Sequence, residues 1–395
     1  MNSLNSPEEP GLVFFPESHS EILRRPDHHF IKPMTIAIDT KDVCEHSENS
    51  FSIRLLKEFL LRSGGNKLLF LKESECENFH SLFPGINFLT TGRKTESRLS
   101  LAYRYSVTIP ALLKKNHVDV FLSFGIRPAS AAIPQFLFAD HDYLVHKKNK
   151  NVPALKKKLR KATNYQGRLL TTSAFIREEI GRLGVIQTNT ICLVNPFSQL
   201  YPLPGEQEKN AIKSFLTGGK EFFLCISSFP EENFLIHILK AFSLFKQRQH
   251  SSFKLVFLTG RPLSKEEDAK LETYRYRDDV VYMEDNDEKR KANLITAARG
   301  CILSPFTNDL SSVMTGILGA GNILICSFDP AEAFNDCLLI SMPEDHKRMA
   351  GHMALIYKDE KYRQQLIDKG KMAVRAFSVS SSAKMLWCCV SDAVK

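Results

Sequence analysis

From residue 35 onward, short apolar runs alternate with stretches of helical periodicity. Residues 35–39 (TIAID) and 67–71 (KLLFL) have the length of strands, and residues 51–61 between them place apolar side chains at helical spacing. Further strand-like runs occupy residues 118–123, 135–140, 169–173 and 191–194. Apolar strands separated by helices are typical of parallel sheets that are covered on both faces.

A second series of the same kind follows a stretch that contains Pro196, Pro202, Pro204 and Gly205. Its pattern predicts strands at 222–227, 253–258, 279–283, 300–304 and 322–326, and helices at 232–247, 287–298, 310–319, near 345–358 and 360–376. Two such series predict two Rossmann-like, doubly wound α/β domains. Ligands of these sheets bind at the carboxyl ends of the strands, so the expected site is the cleft between the domains.

The length of 395 residues also favours two domains over one. We expect an irregular leader at 1–33, an N-terminal domain at 34–198 and a C-terminal domain at 199–378. Residues 379–395 are expected to form a helix that packs back toward the N-terminal domain.

The composition is that of an ordinary globular protein, with 43% apolar and 25% charged residues. No apolar run has the length of about 18 residues that a membrane span needs, and the N-terminus lacks the order of a signal peptide. We therefore expect a cytoplasmic protein. The nine cysteines are scattered without a Cys-x-x-Cys pair. They are interpreted as buried free thiols, and no disulfide framework or metal site is expected.

The net charge of +9 is concentrated in one segment. Eight basic and no acidic residues lie between Lys147 and Lys161, namely Lys147, Lys148, Lys150, Lys156, Lys157, Lys158, Arg160 and Lys161. The segment is either a solvated helix face or a contact for an anionic partner, such as a membrane or a lipid-diphosphate acceptor. A membrane contact would place the protein at the inner face of the membrane. No nucleic-acid partner is expected, because no recognition module or row of interleaved aromatics is present.

Three common site motifs are missing from the sequence. No Gly-x-Gly-x-x-Gly follows a strand, which disfavours a dinucleotide oxidoreductase. There is no Gly-x-x-x-x-Gly-Lys-Ser/Thr loop for a nucleotide triphosphate, and no Gly-x-Ser-x-Gly elbow for a nucleophilic serine.

Several segments follow one another in a distinctive order. In the second half they are 222–233 (FFLCISSFPEEN), 235–245, 253–260 (FKLVFLTG), 280–299, 308–327 (NDLSSVMTGILGAGNILICS) and 362–378; in the first half they are 36–39, 138–143 (FADHDY) and 170–177 (LTTSAFIR). Together they resemble the retaining GT-B glycosyltransferases that build cell-envelope and exopolysaccharide glycans. The likeness covers about residues 35–385. It implies two Rossmann-like domains facing a cleft, and a nucleotide-diphosphate sugar as co-substrate without a further cofactor.

The resemblance places a basic pair just after the first strand of the second domain, where it stabilises the diphosphate leaving group. Here those positions hold Glu231 and Glu232. Their charges would repel a diphosphate by an energy on the order of several kcal/mol in a partly desolvated cleft. Arg261 or the backbone N–H groups at Ser311 and Ser312 are candidate replacements. The alternative for Arg261 is an ordinary surface arginine.

The family also uses two glutamates eight residues apart to hold the ribose and the donor sugar. One alignment register places Asn308 and Gly316 at these positions, and the other places Asp309 and Ile317. Neither register keeps both acids. The donor-binding candidates are therefore Ser228, Asn233, Arg261, Asn308, Asp309, Ser311, Ser312 and Thr315. For Ser312 and Thr315 the alternative is helix capping at an exposed surface.

In the first half, His141 and Asp142 follow a strand where the family places a residue near the reacting centre. We take them as the catalytic candidates, acting as an orienting pair; the alternative is a loop histidine with a structural hydrogen bond. The loop after Asp39 carries residues 47–52 (SENSFS) where relatives have a glycine-rich turn. Without glycines, the backbone of this loop could not approach a phosphate as closely as a glycine-rich turn does.

Two functions follow from these observations. One is a divergent sugar transferase with unusual donor recognition. The other is an inactive GT-B scaffold that acts as a sugar-binding or partner subunit, which the replaced basic pair and glutamates favour.

Overall fold

A computed structural model describes residues 33–43, 50–64, 66–74, 78–93, 97–140, 142–144, 150–197, 204–227, 233–285, 287–305, 307, 310–330 and 332–394. Within these ranges the chain forms two parallel sheets, each with helices on both faces. The architecture is the predicted pair of Rossmann-like, doubly wound domains.

The first sheet has seven strands in the order β3-β2-β1-β4-β5-β6-β7. They are β1 Thr35–Asp39, β2 Lys67–Lys72, β3 Asn87–Thr90, β4 Val120–Ser123, β5 Gln135–Phe138, β6 Gly167–Thr171 and β7 Cys192–Leu193. All neighbouring strands are parallel, and Ile36 of β1 pairs with Leu68 of β2 and with Val120 of β4. Because the strands are parallel, their carboxyl ends lie along one edge of the sheet.

Helices cover both faces of this sheet. They are α1 Phe51–Arg62, α2 Asn78–Leu82, α3 Arg98–Tyr103, α4 Ile109–Lys115, α5 Val152–Asn164 and α6 Ala174–Arg182, and a π-helical turn at Arg104–Thr108 joins α3 to α4. Alternate residues of a strand enter opposite apolar cores: Ile36 and Ile38 belong to one, and Ala37 to the other. This explains why the strands are apolar throughout rather than alternating with polar residues.

The second sheet has six strands in the order β10-β9-β8-β11-β12-β13. They are β8 Phe222–Ser227, β9 Lys254–Thr259, β10 Val280–Glu284, β11 Gly300–Leu303, β12 Leu324–Cys326 and β13 Leu339–Ile340. The helices are α7 Glu206–Thr217, α8 Phe234–Gln249, α9 Lys265–Glu272, α10 Glu288–Ala297, α11 Leu310–Gly319, α12 His346–Lys358, α13 Glu360–Val374 and α14 Val379–Ser391. Phe223 and Phe222 enter opposite cores, as in the first sheet.

The last helix leaves the second domain and packs on the first. The ring of Trp387 in α14 lies 5.3 Å from the ring of Phe59 in α1. Ser382 Oγ donates a hydrogen bond of 2.6 Å to the carbonyl oxygen of Asn195, just beyond β7. These contacts join the end of the chain to the first sheet.

The sequence pattern does not predict two of the strands, β3 and β13. Both lie at edges of their sheets, and β3 consists of four residues of which none is fully buried. An edge strand covers less apolar surface, so its sequence carries a weaker pattern. Within the ranges given above, no helix combines the length and the apolar content needed to cross a membrane.

Candidate active-site cleft

The carboxyl edges of the two sheets face each other. Phe175 comes shortly after the end of β6, and Phe328 shortly after the end of β12. Their ring centroids lie 5.0 Å apart. On the first-domain side the ring of Tyr143 lies 6.4 Å from that of Phe175. The cleft between these edges is therefore bounded at one point by an aromatic contact.

Asp142 lies on the first-domain side of the cleft and joins several elements through its carboxylate; we call Asp142 with Ile126 and Lys158 the hub. The Asp142 side chain is buried and accepts hydrogen bonds from the backbone N–H of Ile126 and from Lys158 Nζ. Burial alone would raise the pKa of Asp142, but the charges of Lys158 and Arg127 hold it below its ordinary value. The hub thus joins the ends of β4 and β5 to α5.

Gly125 lets a second ion pair approach this hub. Arg127 pairs with Asp42, and this pairing raises the pKa of Arg127 although burial opposes it. A Cβ on Gly125 would overlap Asp42 Oδ2 and lie 3.1 Å from Arg127 Nη1 and 3.2 Å from Asp142 Oδ2. A side chain at this position would require the Asp42 carboxylate to move. Sequence reasoning missed Gly125 and Arg127; the available signal was the segment FGIR (124–127), directly after a strand.

A neighbouring cluster occupies the ends of β1 and β2. Tyr105 donates a hydrogen bond to the buried Asp39, and Arg104 pairs with Glu73 and lies 3.8 Å from Asp39. Lys41 Nζ lies 2.9 Å from Glu73 Oε1. Burial raises the pKa of Asp39, against the opposing charge of Arg104. These groups hold the loops after β1 and β2 together.

Position 141 lies between two anchored residues. Asp140 accepts a hydrogen bond of 2.7 Å from Thr171 Oγ1 and one of 3.2 Å from the backbone N–H of Thr172. Asp142 is held as described above. His141 itself lies outside the described residues, so its pairing with Asp142 stays a prediction. The two neighbours attach this turn to β6 and to α5.

The edge of the second sheet is lined by hydroxyl groups. Thr307 Oγ1 donates to the carbonyl oxygens of Ile226 and Ser304, at 3.2 and 2.9 Å, and Ser327 Oγ donates to that of Leu303 at 2.8 Å. Ser227, the last residue of the central strand β8, is 1% exposed. Its Oγ has no hydrogen-bond partner in the part of the chain that the structure describes. Buried hydroxyl groups without a partner are uncommon in folded proteins.

Comparisons with known proteins were informative at the level of structure alone. No family model and no curated protein matches the sequence. Among solved structures, the sucrose-phosphate synthase from Thermosynechococcus elongatus is similar with a TM-score of 0.65 and 14% identity, over 90% of this chain and 98% of that one. Anabaena HepE in complex with UDP and glucose has a TM-score of 0.63 and 13% identity, over 91% and 100%. A glycosyltransferase from Rickettsia africae has a TM-score of 0.64 and 10% identity, over 92% and 99%.

The chain has the GT-B fold. At these identities the likeness establishes the arrangement of the two domains and leaves the activity open. The predicted GT-B architecture is confirmed.

In this GT-B chain, four of the predicted site residues lie outside the described residues: His141, Ser228, Asn308 and Asp309. The same holds for Glu231 and Glu232, which replace the basic pair. Asn233 is exposed at the start of α8, and its side chain makes no capping hydrogen bond.

Arg261 lies two residues after β9, and its guanidinium forms an ion pair with Glu267. It donates hydrogen bonds of 2.7 and 2.8 Å to the two carboxylate oxygens of Glu267. These bonds raise the pKa of Arg261. Glu267 also accepts from the backbone N–H of Ser264, as part of the capping box of α9. A diphosphate would have to compete with this carboxylate for Arg261.

Ser311, Ser312 and Thr315 lie in the first turns of α11 and are buried rather than exposed. Thr315 Oγ1 donates to the carbonyl oxygens of Ser311 and Ser312, at 3.0 Å each, so this hydroxyl is used within the helix. Within the described ranges, no cluster of three or more His, Cys, Asp or Glu side chains is arranged to hold a metal ion.

From Val152 onward the basic segment forms helix α5, and its basic side chains point in different directions. Lys157 and Arg160 are exposed, while Lys158 turns toward the cleft and pairs with Asp142. Lys147 and Lys148 lie outside the described residues. Of the eight basic residues, Lys158 therefore belongs to the site rather than to an outer surface.

Proposed function

We propose that the protein transfers a sugar from a nucleotide-diphosphate donor to a glycan or lipid-linked acceptor, with retention of the anomeric configuration. The proposal rests on one observation. In this GT-B fold the carboxyl edges of the two sheets meet, with Phe175 of one domain against Phe328 of the other. Transfer between two substrates requires that both be held in one water-poor cleft. Anabaena HepE, whose structure contains UDP and glucose, supports the choice of donor.

On the donor side, the Ser227 hydroxyl and the backbone N–H groups at the start of α11 would bind the diphosphate. Ser311 and Ser312 form the first turn of this ten-residue helix, and a helix N-terminus favours anions. Asn308 and Asp309 directly precede it in the sequence and would contact the sugar hydroxyls. No metal or organic cofactor is part of the proposal.

On the acceptor side, we propose that Asp142 and its partners hold a loop in place rather than contact the substrate. They hold the turn that carries His141, the residue proposed to orient the incoming hydroxyl group. Lys158 and Arg127 keep Asp142 ionised, so the hub stays charged at neutral pH. A fixed turn lowers the entropy cost of aligning the acceptor.

A second candidate function is that of an inactive GT-B scaffold which binds a sugar or a partner protein. The observation that favours it is the engagement of Arg261 by Glu267. Glu231 and Glu232 stand in place of the basic pair, so these two positions supply no cation to the leaving group, and Arg261 is already paired.

The test separates the two functions. Thermal shift and calorimetric titration with UDP, GDP and ADP sugars measure donor binding, and release of the nucleotide diphosphate measures hydrolysis or transfer. Binding with turnover supports the transferase. Binding without turnover on any acceptor supports the scaffold, and failure of the whole panel to bind contradicts the proposal that the donor is a nucleotide sugar.

We also propose that the exposed basic residues of α5 contact an anionic membrane from the cytoplasmic side, which would bring a lipid-linked acceptor to the cleft. Lys157 and Arg160 lie on the outer face, while Lys158 on the same helix reaches the hub. One helix would thus connect the membrane surface with the site.

A further inference from the structure

Two histidine rings join the first turns of two helices in the second domain. His237 lies in the first turn of α8, and His346 is the first residue of α12. His237 Nδ1 and His346 Nε2 lie 2.8 Å apart, which is the distance of a hydrogen bond. Both residues are half-buried. Neither belongs to the hub or to the proposed donor site.

The two rings meet edge to edge rather than face to face. Their planes are inclined by 17°, and their centroids lie 5.1 Å apart. This separation exceeds the 2.8 Å between the nitrogen atoms by about twice the distance from a ring nitrogen to the centre of its ring. The two nitrogens and the two ring centres therefore lie close to one line, and the hydrogen bond is nearly straight. A straight bond between two imidazole nitrogens holds one proton.

The number of protons on the pair decides whether this bond exists. When both rings are neutral, one facing nitrogen carries a proton and the other accepts it. When one ring is protonated, it donates to its neutral partner, and the bond is charge-assisted. When both rings are protonated, both facing nitrogens carry a proton and two positive charges adjoin. The bond then cannot form.

The pair connects two helices that begin at the carboxyl edge of the second sheet. Helix α8 follows β8, and α12 follows β13. Further along, the two helices pack through apolar side chains, and Ile238 of α8 and Met349 of α12 belong to one core. Loss of the histidine bond would therefore loosen the first turns and leave the apolar packing in place.

We propose that His237 and His346 form a proton-controlled latch between the first turns of α8 and α12, closed by one shared proton and opened when both rings are protonated. Opening would release the start of α8, which directly follows Glu231, Glu232 and Asn233 in the sequence. Acidification would thus alter the donor side of the cleft. This last consequence rests on the proposed function, whereas the latch itself does not.

The surroundings of the pair oppose its second protonation. Burial lowers the pKa of His346, and the charges of His237 and Lys240 lower it further, against the acids Asp345 and Glu344. In the unfolded chain a histidine takes up a proton below about pH 6.5. The stability that the latch contributes is therefore full above this pH, and it is lost as the pH falls toward the lowered folded-state pKa of His346.

The experiment follows the ring nitrogen resonances of isotope-labelled histidines by NMR between about pH 8 and pH 5. The two resonances of the pair are assigned by their loss in His237→Gln and in His346→Gln. We expect the wild-type pair to titrate in two linked steps. In His237→Gln, His346 should titrate in one step, at a higher pH than the second step of the wild type, because the neighbouring charge is gone.

Melting temperatures at neutral and at acidic pH give a second readout. On acidification the wild type should lose about 2 °C more than His346→Gln does. The double variant should behave like either single variant, because each substitution removes the same bond. His117→Asn is the matched control and should keep the pH dependence of the wild type. It removes an exposed histidine with a φ of 51°, a backbone conformation that asparagine also adopts.

Two results would overturn the proposal. One is independent titration of the two rings, each in a single step that substitution of the other leaves unchanged. The other is an equal loss of melting temperature in the wild type and in the single variants on acidification. Either single variant assigns one resonance of the pair, so the titration stays decisive if the other variant does not fold. Since neither readout involves a nucleotide sugar, failure of the latch is distinguishable from failure of the proposed transfer.

Discussion

The rings of Phe175 and Phe328 lie 5.0 Å apart, one after β6 of the first sheet and the other after β12 of the second. Phe328 is buried, and Phe175 packs against the apolar core that contains it. An aromatic residue from the first domain thus completes a core of the second. The contact sets how the two carboxyl edges face each other.

This contact predicts a measurable coupling between the domains. Phe328→Ala should lower the free energy of unfolding by about 3 kcal/mol, because a buried ring leaves a cavity. The double variant with Phe175→Ala should reveal a coupling of about 1 kcal/mol in a double-mutant cycle from urea unfolding. Phe215→Ala is the control, since that ring is 88% exposed. Strictly additive effects would contradict the contact.

The ionised Asp142 predicts a dependence of stability on pH. Its pKa in the folded protein is lowered, so its stabilisation is present above the unfolded-state pKa of about 4 and is lost as the pH falls through the folded-state value. Asp142→Asn should cost about 3 kcal/mol at neutral pH, and the difference from the wild type should shrink below about pH 4. Denaturant unfolding at several pH values measures it, with the exposed Asp278→Asn as control. A difference that does not change with pH would argue against the ionised hub.

The crowding around Gly125 predicts that an added methyl group displaces the Asp42 carboxylate. Gly125→Ala should separate Asp42 from Arg127 and lower the free energy of unfolding by about 1–3 kcal/mol. Donor turnover, where present, should fall as well. Gly64→Ala is the matched control, because its Cβ would meet no atom within 4 Å. Equal melting temperatures for the two variants would show that the ion pair adapts.

The acidic pair after β8 predicts weak diphosphate binding that charge reversal improves. Glu231→Arg with Glu232→Lys should raise the affinity for UDP or GDP by about tenfold or more, as measured by titration calorimetry. Glu206→Arg with Glu208→Lys changes the net charge equally on the exposed first turn of α7 and should have little effect. Equal gains in the two variants would mean that net charge, rather than the position after β8, is responsible.

The outer face of α5 predicts binding to anionic vesicles. Lys157→Glu with Arg160→Glu should reduce flotation with phosphatidylserine or phosphatidylglycerol vesicles by about tenfold or more. Lys114→Glu with Lys115→Glu on α4 is the matched control, as both lysines are exposed. High salt should abolish the binding. Wild-type protein that stays at the bottom of the gradient would refute the contact.

The sequence predicts eleven of the thirteen described strands, because each buried strand is a continuous apolar run. It predicts the long helices with an apolar stripe, such as α1, α8 and α13, but not α2, α3, α4, α5, α7 or α9. The short edge strands β3 and β13 escape this signal, since they bury little. The candidate site was predicted less completely. A turn at residues 140–142 stands out because polar residues follow a strand. Gly125 and Arg127 also follow a strand, but the sequence does not show that Arg127 pairs with Asp42 and that both lie beside Asp142.

The sequence by itself determined the order of elements, the parallel sheets and the two-domain fold, because hydrophobic periodicity is a local property. Tertiary structure alone decided which charges meet. It paired Lys158 of the basic segment with Asp142, and Arg261 with Glu267. Such pairings depend on which loops lie together at one sheet edge. A local sequence pattern does not show this, because the paired residues are far apart along the chain or face each other only after folding.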